Sequence, residues 1–348
     1  MALLSSIRSV PYTGVKGWVE MSTTTNRRVL VVSTSFGSTT PYPQQLLGEH
    51  RCEVVTVKGP HSEARMAELV PGFAALVVGI DPVTELVVAS GRDLKIVAKH
   101  GVGVDNIDIA ACTRHNVVVT NVPAANSEAV AEFTMCVLLA LTRHLVPAVA
   151  SLALGRWEGS KFIGVELGGK TLGIVGLGAI GQRVALQAKA FGMDVVYHDT
   201  VRRREFEARE AVTYLELHEL LKAADFVTLH VPALPETQNL IDAHALSQMK
   251  PSAYLLNLSR GEVLHEEALI EVLRQKKIAG AALDTYCQEP LAPEHPFFTL
   301  DNLLLTPHMA GYSREANGRT SIAAAHDVAR VLTGQAPLNS LNAGVIEI

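Results

Sequence analysis

The sequence predicts an α/β protein with two doubly wound domains, and three observations support this prediction. Short apolar runs rich in β-branched residues alternate with amphipathic stretches from residue 27 onward, which is typical of parallel sheets covered by helices. The alternation falls into two series separated by a long predicted helix, and a G-x-G-x-x-G segment lies at the start of the second series. The length of 348 residues is enough for about two domains of roughly 150 residues each.

The first series contains five predicted strands, with helical stretches at 62–69 and 83–90 between them. Each strand is a continuous apolar run, as expected for strands that are buried on both faces. A repeated strand, helix, strand order predicts parallel strands joined by right-handed crossovers. The predicted strands are 28–33, 53–57, 75–79, 94–98 and 116–121.

The second series begins with a helix that we predict over 127–152. Ser127 can cap its N-terminus through the hydroxyl group, and Glu128 and Glu132 suit the positive end of the helix dipole. Six strand candidates follow, which is enough for a complete doubly wound sheet, and a last helix is predicted over 313–333. The six strands are 171–175, 193–198, 224–230, 253–258, 278–283 and 303–305.

The composition indicates a globular chain and excludes several classes of partner. Hydrophobic residues make up 48% of the sequence and charged residues 19%, which argues against extensive disorder. The net charge of −5, without a basic block, predicts that neither nucleic acid nor a membrane is a partner. The four cysteines have no C-x-x-C spacing and no histidine cluster nearby, so we expect no metal site, no disulfide framework and a cytoplasmic location; they are Cys52, Cys112, Cys136 and Cys287.

Residues 1–26 are treated separately from the two series. Their only basic residues are Arg8 and Lys16, and the segment is too weakly apolar for a secretory signal and too poor in arginine for a transit peptide. We expect a disordered N-terminal extension, or a chain whose translation starts at Met21.

The glycine-rich segment predicts a dinucleotide site. Gly176, Gly178 and Gly181 follow the predicted strand 171–175 and open an apolar helix, which is the context that the motif requires. The first glycine allows the tight turn, the second lets a pyrophosphate approach the backbone, and the third lets helix and strand pack closely. The N-terminus of the helix, at Ala179 and Ile180, would then face the phosphates.

An acidic residue at the end of the next strand favours NAD over NADP. Asp199 lies 199 − 181 = 18 residues after the third glycine, where a carboxylate accepts hydrogen bonds from the adenosine ribose and repels a 2′-phosphate. The basic run Arg202, Arg203 and Arg204 follows immediately and could reach a 2′-phosphate, so NADP stays open as the second choice.

Three chemically active residues follow three consecutive predicted strands. Arg260 can grip a carboxylate with its guanidinium, and His308 is a natural general acid/base because imidazole titrates near neutral pH. Glu289 beside the imidazole would favour its protonated form. Because ligands of open α/β sheets bind beyond the carboxyl ends of the strands, we expect the three side chains to converge.

These features are accompanied by further motifs across both series, and together they resemble a known family. The motifs are Gly101-Val-Gly-Val-Asp-Asn-Ile-Asp108, 121–123, 131–133, 155–157, 168–181, 229–232, 257–261, 284–290 and 306–308. Over residues 27–342 the chain is similar to the NAD-dependent D-2-hydroxyacid dehydrogenases, and within them to the 3-phosphoglycerate dehydrogenase branch.

The resemblance implies a Rossmann NAD-binding domain over 123–311 and a flavodoxin-like substrate domain formed by 27–122 and 312–348. It also implies a homodimer whose contact is formed by the helix from Ser127 and the loop around Trp157. His308 would donate the proton to a small 2-oxo acid, paired with Glu289, while Arg260 holds the substrate. His100, Val102 and Gly103 would bind the substrate as well. The implied cofactor-binding residues are Gly176, Gly178, Ala179, Ile180, Gly181, Asp199, His230, Val231, Pro232, Thr237, Leu258, Ser259, Asp284 (on the nicotinamide carboxamide), His308 and Gly311.

Two departures from the 3-phosphoglycerate dehydrogenases bear on the substrate. Those enzymes carry an Arg-Ser pair after the third strand, whereas this chain has the acid Asp81 within Gly79-Ile-Asp-Pro82, and Arg156, Lys161 or His100 would have to compensate. The chain also stops at Ile348, so we expect no C-terminal regulatory domain. The substrate class is therefore left between 3-phosphoglycerate and hydroxypyruvate or glyoxylate. Phosphite oxidation and a non-enzymatic, NAD(H)-sensing corepressor role are the alternatives.

Overall fold

The computed structural model of the protein describes residues 26–342, 344 and 345. The prediction for residues 1–26 therefore lies outside the described residues, except at Asn26. The side-chain amide of Asn26 donates a hydrogen bond to the carbonyl oxygen of Gly72, at 3.2 Å.

The N-terminal sheet has five parallel strands in the order β2-β1-β3-β4-β5, which is the order of flavodoxin-like sheets. Its strands match the five predicted runs, with ends that differ by at most two residues. They are β1 (Arg28–Val31), β2 (Glu53–Thr56), β3 (Ala75–Val78), β4 (Ile96–Lys99) and β5 (Val118–Thr120). The short helices between them are α1 (Tyr42–Glu49), α2 (Glu63–Leu69), α3 (Glu85–Ser90) and α4 (Ile109–Arg114).

The C-terminal sheet has seven parallel strands in the order β12-β11-β10-β9-β6-β7-β8. The strand order reverses between β6 and β9, and this is where doubly wound sheets bind ligands. Six of the strands are those that the sequence predicts, and they are β6 (Thr171–Val175), β7 (Asp194–His198), β9 (Phe226–Leu229), β10 (Tyr254–Asn257), β11 (Gly280–Leu283) and β12 (Leu303–Leu305). The edge strand β8 (Thr213–Tyr214) was missed because two residues carry no periodic signal.

Helices cover both faces of the C-terminal sheet and build two apolar cores. One core centres on Ile174 and Tyr197, and the other on Val227 and Leu255. The helices are α5 (Ser127–Thr142), α6 (Leu145–Ala153), α7 (Ala179–Ala190), α8 (Arg204–Glu210), α9 (Leu217–Ala223), α10 (Ala243–Gln248) and α11 (Glu266–Arg274). Short 3₁₀ helices span Gly159–Lys161, Gly261–Val263 and Pro296–Thr299.

The predicted helix over 127–152 is wrong in two respects. Ser127 is buried in the first turn of α5 and does not cap it; the N-cap position belongs to Asn126, which makes no side-chain cap. The helix also breaks before α6, because the carbonyl oxygen of Thr142 accepts its hydrogen bond from Val165 and His144 adopts a positive φ of +49°. No helix of the described chain is by itself long and apolar enough to span a membrane, although α5 and α6, which meet at 62°, pass that test as a pair by length and composition.

The last helix, α12 (Arg314–Leu332), packs back onto the N-terminal sheet. Ser313 caps it by accepting a hydrogen bond from the N–H of Ala316, at 3.0 Å. Ala325 and Val328 on α12 share an apolar core with Val29 of β1. The chain therefore leaves the N-terminal sheet for the second sheet and returns to it at its end.

Candidate active site

The loop that joins β6 to α7 contains the three glycines of the predicted phosphate site, and each occupies a different environment. Gly176 has a φ of +96°, and a β-carbon there would lie 2.6 Å from the carbonyl oxygen of His230. A β-carbon on Gly181 would collide with the carbonyl oxygen of Gly176. At Gly178, by contrast, a β-carbon would project into open space. The first and third glycines are needed by the fold itself, whereas the second leaves room for a ligand.

The N-terminus of α7 supplies the donors that a pyrophosphate needs. Gly178 is the N-cap residue and no side chain caps the helix, so the N–H groups of Ala179, Ile180 and Gly181 lack intrahelical acceptors. The positive end of the helix dipole adds to their attraction for an anion. The loop therefore fits a dinucleotide.

Asp199 follows β7 and faces the glycine loop. Its Oδ2 atom accepts a hydrogen bond from the N–H of Leu177 at 2.8 Å, and its Oδ1 atom accepts one from the N–H of Val201 at 3.0 Å. Arg202, the first residue of the basic run, points elsewhere: its guanidinium is paired with Glu207 on α8, at 2.8 Å. The acidic residue is thus directed toward the dinucleotide site and the nearest arginine is neutralised, which favours NAD.

Four of the predicted cofactor-binding residues, His230, Val231, Pro232 and Thr237, follow β9. His230 is neutral because burial lowers its pKa to about 3. Its Nε2 atom lies 3.0 Å from the hydroxyl of Thr228, and its buried Nδ1 atom has no partner in the described structure, as expected beside a ligand site. Thr237 shapes the loop that starts at Val231, because its hydroxyl donates to the carbonyl oxygen of Pro232 at 2.6 Å.

His308 and Glu289 form the side-chain pair that the sequence predicts. His308 Nδ1 lies 2.7 Å from Glu289 Oε2, and Glu289 Oε1 accepts a hydrogen bond from the N–H of Tyr286 at 3.0 Å. Burial on its own would raise the pKa of Glu289, but the hydrogen bond and charge of His308, the Tyr286 N–H and the charge of Arg260 together hold it below its ordinary value. Within the described residues the Nε2 atom of His308 has no partner, so the ring is oriented with one nitrogen open to a substrate.

Arg260 follows β10 and reaches across to the loop after β4. Its Nε atom donates to Asp105 Oδ2 at 2.8 Å, and its Nη1 atom donates to the carbonyl oxygen of Ser259 at 2.7 Å. Its Nη2 atom lies against Gly103, where a β-carbon would leave it no room. The guanidinium thus lies against the backbone of Gly103, which is predicted to bind the substrate, so the two can share an anion.

Asp284 has a different environment from the one its predicted contact with the nicotinamide carboxamide suggests. Its carboxylate is 1% exposed and accepts hydrogen bonds from the N–H groups of Met309 and Ala310, at 2.9 and 2.8 Å. It also accepts the hydroxyl of Thr306 at 2.6 Å. These bonds hold the segment on both sides of His308, whose φ is +50°. Asp284 is therefore a positioning residue for His308, and its carboxamide contact stays a prediction.

Two substrate-side expectations need correction. His100 cannot serve as a replacement cation, because burial, and then the charge of Lys99, lower its pKa to about 4. Both of its ring nitrogens are engaged, Nδ1 with Ser33 at 3.1 Å and Nε2 with Ser321 at 2.8 Å, so His100 links α12 to the sheet. Asp81 does not face an incoming phosphate either: it is 2% exposed and accepts the N–H of His61 at 2.7 Å.

The remaining predicted cofactor residues mainly shape the turns of the site. Leu258 is buried, and the hydroxyl of Ser259 donates to Asn257 Oδ1 at 2.8 Å, which fixes the turn before Arg260. Gly311 lies where the chain returns to the N-terminal sheet, and a β-carbon there would come 2.9 Å from the Nδ2 atom of Asn126. Among the described residues, no group of three His, Cys, Asp or Glu side chains is arranged to hold a metal ion.

Sequence reasoning missed three residues of the substrate side. Asp105 pairs with Arg260 across 155 residues of chain. The ammonium of Lys99, a buried side chain, donates to the carbonyl oxygen of Gly79 and to Asn106 Oδ1, at 2.6 Å each. Asp105 and Asn106 belong to the Gly101–Asp108 motif and Lys99 precedes it, so the motif itself pointed to this region. The partners of the three residues, however, cannot be identified without the tertiary structure.

Comparison with known proteins decides the family. Residues 135–310 match the NAD-binding domain of the D-isomer specific 2-hydroxyacid dehydrogenases. A glyoxylate reductase from Korarchaeum cryptofilum is 38% identical over 296 residues, which cover 84% of this chain and 89% of the relative. The chain belongs to the D-isomer specific 2-hydroxyacid dehydrogenase family. The family resemblance stated from the motifs is thus confirmed, and NAD is the cofactor that its second domain binds.

Further matches are found among longer proteins and among solved structures. A D-3-phosphoglycerate dehydrogenase from Synechocystis is 41% identical over 289 residues, which cover 83% of this chain but 52% of the relative. The chain thus spans about half the length of the D-3-phosphoglycerate dehydrogenases it matches. The crystal structure of a protein from Thermus thermophilus has a TM-score of 0.84 and 37% identity, and the match covers 90% of this chain and all of that one. The predicted fold, two parallel α/β sheets, is confirmed.

Proposed function

We propose that this family member is an NAD-dependent D-2-hydroxyacid dehydrogenase that interconverts a small 2-oxo acid and the corresponding D-2-hydroxy acid. The observation that carries the proposal is the pairing of His308 with Glu289, at 2.7 Å, with the other ring nitrogen open and the Arg260 charge close enough to act on Glu289. An acid, a cation for the substrate carboxylate and a dinucleotide loop are the parts that reduction of a 2-oxo acid requires.

Each residue has a defined task in the proposed reaction. Arg260 and the backbone at Val102 and Gly103 bind the substrate carboxylate and orient the carbonyl group. NADH, held at the glycine loop and the N-terminus of α7, would supply the hydride. His308 donates a proton from Nε2 to the carbonyl oxygen, and Glu289 stabilises the imidazolium before the transfer and keeps the ring in place. In the reverse direction neutral His308 accepts the hydroxyl proton.

The substrate side favours a small acid without a phosphate, such as hydroxypyruvate or glyoxylate. The loop after β3 presents Ile80, 67% exposed, in the region where the 3-phosphoglycerate dehydrogenases carry Arg-Ser. Lys161 is paired with Glu158 at 2.6 Å, and His100 is neutral, so neither residue offers an unpaired positive charge to a phosphate. The glyoxylate reductase from Korarchaeum cryptofilum, which matches over nearly its whole length, agrees with this assignment.

We further propose a homodimer, located in the cytoplasm. No residue of α6 is buried, although this helix carries Leu145, Val149 and Leu152, and the nearby Trp157 is 89% exposed. An apolar surface of this kind is typical of a subunit interface. The four cysteines are free, as expected in a reducing compartment. Light scattering should give the mass of a dimer for the native chain and of a monomer for Val149→Glu; a monomeric native chain would contradict the dimer.

The activity is tested by following NADH oxidation at 340 nm with a panel of 2-oxo acids. The panel contains hydroxypyruvate, glyoxylate, 2-oxoglutarate and 3-phosphohydroxypyruvate. We expect turnover with hydroxypyruvate or glyoxylate and a lower kcat/KM with the phosphorylated acid. A preference for the phosphorylated acid would overturn the substrate assignment but not the reaction. Measurable NADH binding without turnover of any acid would overturn the proposed activity.

A further inference from the structure

The basic run Arg202–Arg204 follows β7 and would be expected to attract NADP. Glu207, which lies outside the glycine motif, pairs with the first of these arginines. Arg202 follows Asp199 by three positions, where a guanidinium would bind the 2′-phosphate of NADP. Instead Arg202 forms a fork with Glu207 of α8: Nε lies 2.8 Å from Oε1, and Nη2 lies 2.8 Å from Oε2. The guanidinium also covers the ring of Tyr214 on β8, 5.3 Å from its centroid.

Glu207 is itself anchored to the sheet, which distinguishes this fork from a pair of two exposed side chains. The hydroxyl of Tyr197, a fully buried residue of β7, donates to Glu207 Oε1 at 2.6 Å. The same hydroxyl accepts the N–H of Arg203 at 2.8 Å, which fixes the start of α8. The Glu207 side chain is 14% exposed. The hydrogen bonds from Arg202 and Tyr197 lower the pKa of Glu207 to about 2, so the carboxylate is ionised throughout the working pH range.

Arg202 is close to the dinucleotide site but is turned away from it. Both Arg202 and Asp199 lie in the short loop between β7 and α8. Asp199, however, is directed at Leu177 in the glycine loop, whereas Arg202 is directed at α8 and β8.

We propose that Glu207 is a specificity-determining residue for the cofactor, because it holds Arg202 against α8 and leaves Asp199 as the charge that meets the ribose 2′ position. NADP is then rejected by two separate features, the negative charge of Asp199 and the neutralisation of Arg202. Replacing Asp199 alone removes the repulsion of the 2′-phosphate but leaves Arg202 paired with Glu207. Replacing both Asp199 and Glu207 with neutral residues also frees the Arg202 guanidinium, which can then form charge-assisted hydrogen bonds with a 2′-phosphate.

The test is a set of binding titrations, in which the fluorescence of NADPH or NADH reports the Kd without any turnover. The variants are the native chain, Asp199→Ser, and Asp199→Ser with Glu207→Gln, since glutamine keeps the size of Glu207 and can still accept from Tyr197. We expect the double variant to bind NADPH about tenfold more tightly than Asp199→Ser. Glu205→Gln is the matched control, because Glu205 is an exposed glutamate of the same helix that forms no ion pair with Arg202 in the described structure.

Adding Arg202→Ala shows whether the freed guanidinium causes the gain. In the double variant this substitution should remove the tenfold gain, whereas in Asp199→Ser, where Glu207 still holds Arg202, it should leave the Kd for NADPH unchanged. The comparison of Asp199→Ser with and without Arg202→Ala keeps Glu207. It can therefore be made even if a thermal melt shows that the double variant is unfolded. The proposal is overturned if Glu207→Gln brings no gain, or if Arg202→Ala weakens NADPH binding equally in both backgrounds.

Discussion

The cofactor side and the substrate side of the site depend on the sequence in different ways. On the cofactor side, Gly176 is required by its positive φ and Gly181 by the carbonyl oxygen of Gly176, both within a single strand–turn–helix unit, so a short motif identifies them. On the substrate side, the task of each polar residue depends on a partner from a distant loop, as in the pairing of Arg260 with Asp105. Local motifs therefore predict a phosphate site in detail, whereas a substrate site is predicted only as a set of residues whose contacts remain to be found.

The largest expected effect concerns the proton donor. His308→Gln keeps a side chain of similar size but cannot carry the proton, so we expect kcat to fall about 10²- to 10⁴-fold. The Kd for NADH should change little, because the glycine loop is untouched. The matched control is His244→Gln, an exposed residue of α10. Steady-state kinetics and a binding titration separate the two quantities; a kcat within twofold of the native value would exclude His308 as the acid.

The glycine loop allows a direct comparison of a fold requirement with a ligand requirement. Gly181→Ala brings a β-carbon into the carbonyl oxygen of Gly176, so we expect unfolding to become easier by about 1–3 kcal/mol. In Gly178→Val the new side chain would project into open space, so the thermal stability of this variant without cofactor should be nearly native. The valine would nevertheless block the pyrophosphate, and its Kd for NADH should rise at least tenfold. Equal losses of stability in both variants would contradict the distinction.

Asp284→Asn tests the positioning of His308. One of the two carboxylate oxygens becomes an NH₂ group that faces the N–H donors of Met309 or Ala310, and we expect a loss of about 1–3 kcal/mol in unfolding free energy. Because the segment around His308 shifts, kcat should fall as well, while the exposed control Asp301→Asn should change neither quantity. A native melting temperature together with weaker NADH binding would instead show that the carboxylate serves the cofactor.

The smallest expected effect is a pH dependence set by Lys99. Burial, and then the charge of Arg260, lower the pKa of Lys99 to about 8, against the opposing charges of Asp105 and Asp81. The ammonium is therefore charged below about pH 8 and loses its charge as the pH rises, so attraction for an anionic substrate weakens. We expect KM to rise roughly fivefold between about pH 7 and 9. Lys99→Arg should remove this rise, because arginine stays charged; an unchanged profile in that variant would exclude Lys99.

The contrast between the two sides also explains how far the sequence predicted the molecule. Strands such as β6 and β12 were predicted with the same ends that the structure shows, because apolar runs bounded by turn residues are local signals. The break before α6 was not, because it depends on Val165 taking the carbonyl group of Thr142 from outside the helix. His100 was misjudged for the same reason: its neutral state follows from burial and from partners just after β1 and on α12, which are distant in sequence.

The most direct test of the proposed chemistry is the configuration of the product. Hydroxypyruvate and NADH are incubated with the native protein, and the glycerate formed is resolved by chiral chromatography. The account predicts D-glycerate, formed in step with NADH oxidation and about 10²- to 10⁴-fold more slowly with His308→Gln. L-glycerate, or D-glycerate produced at a native rate by His308→Gln, would contradict it.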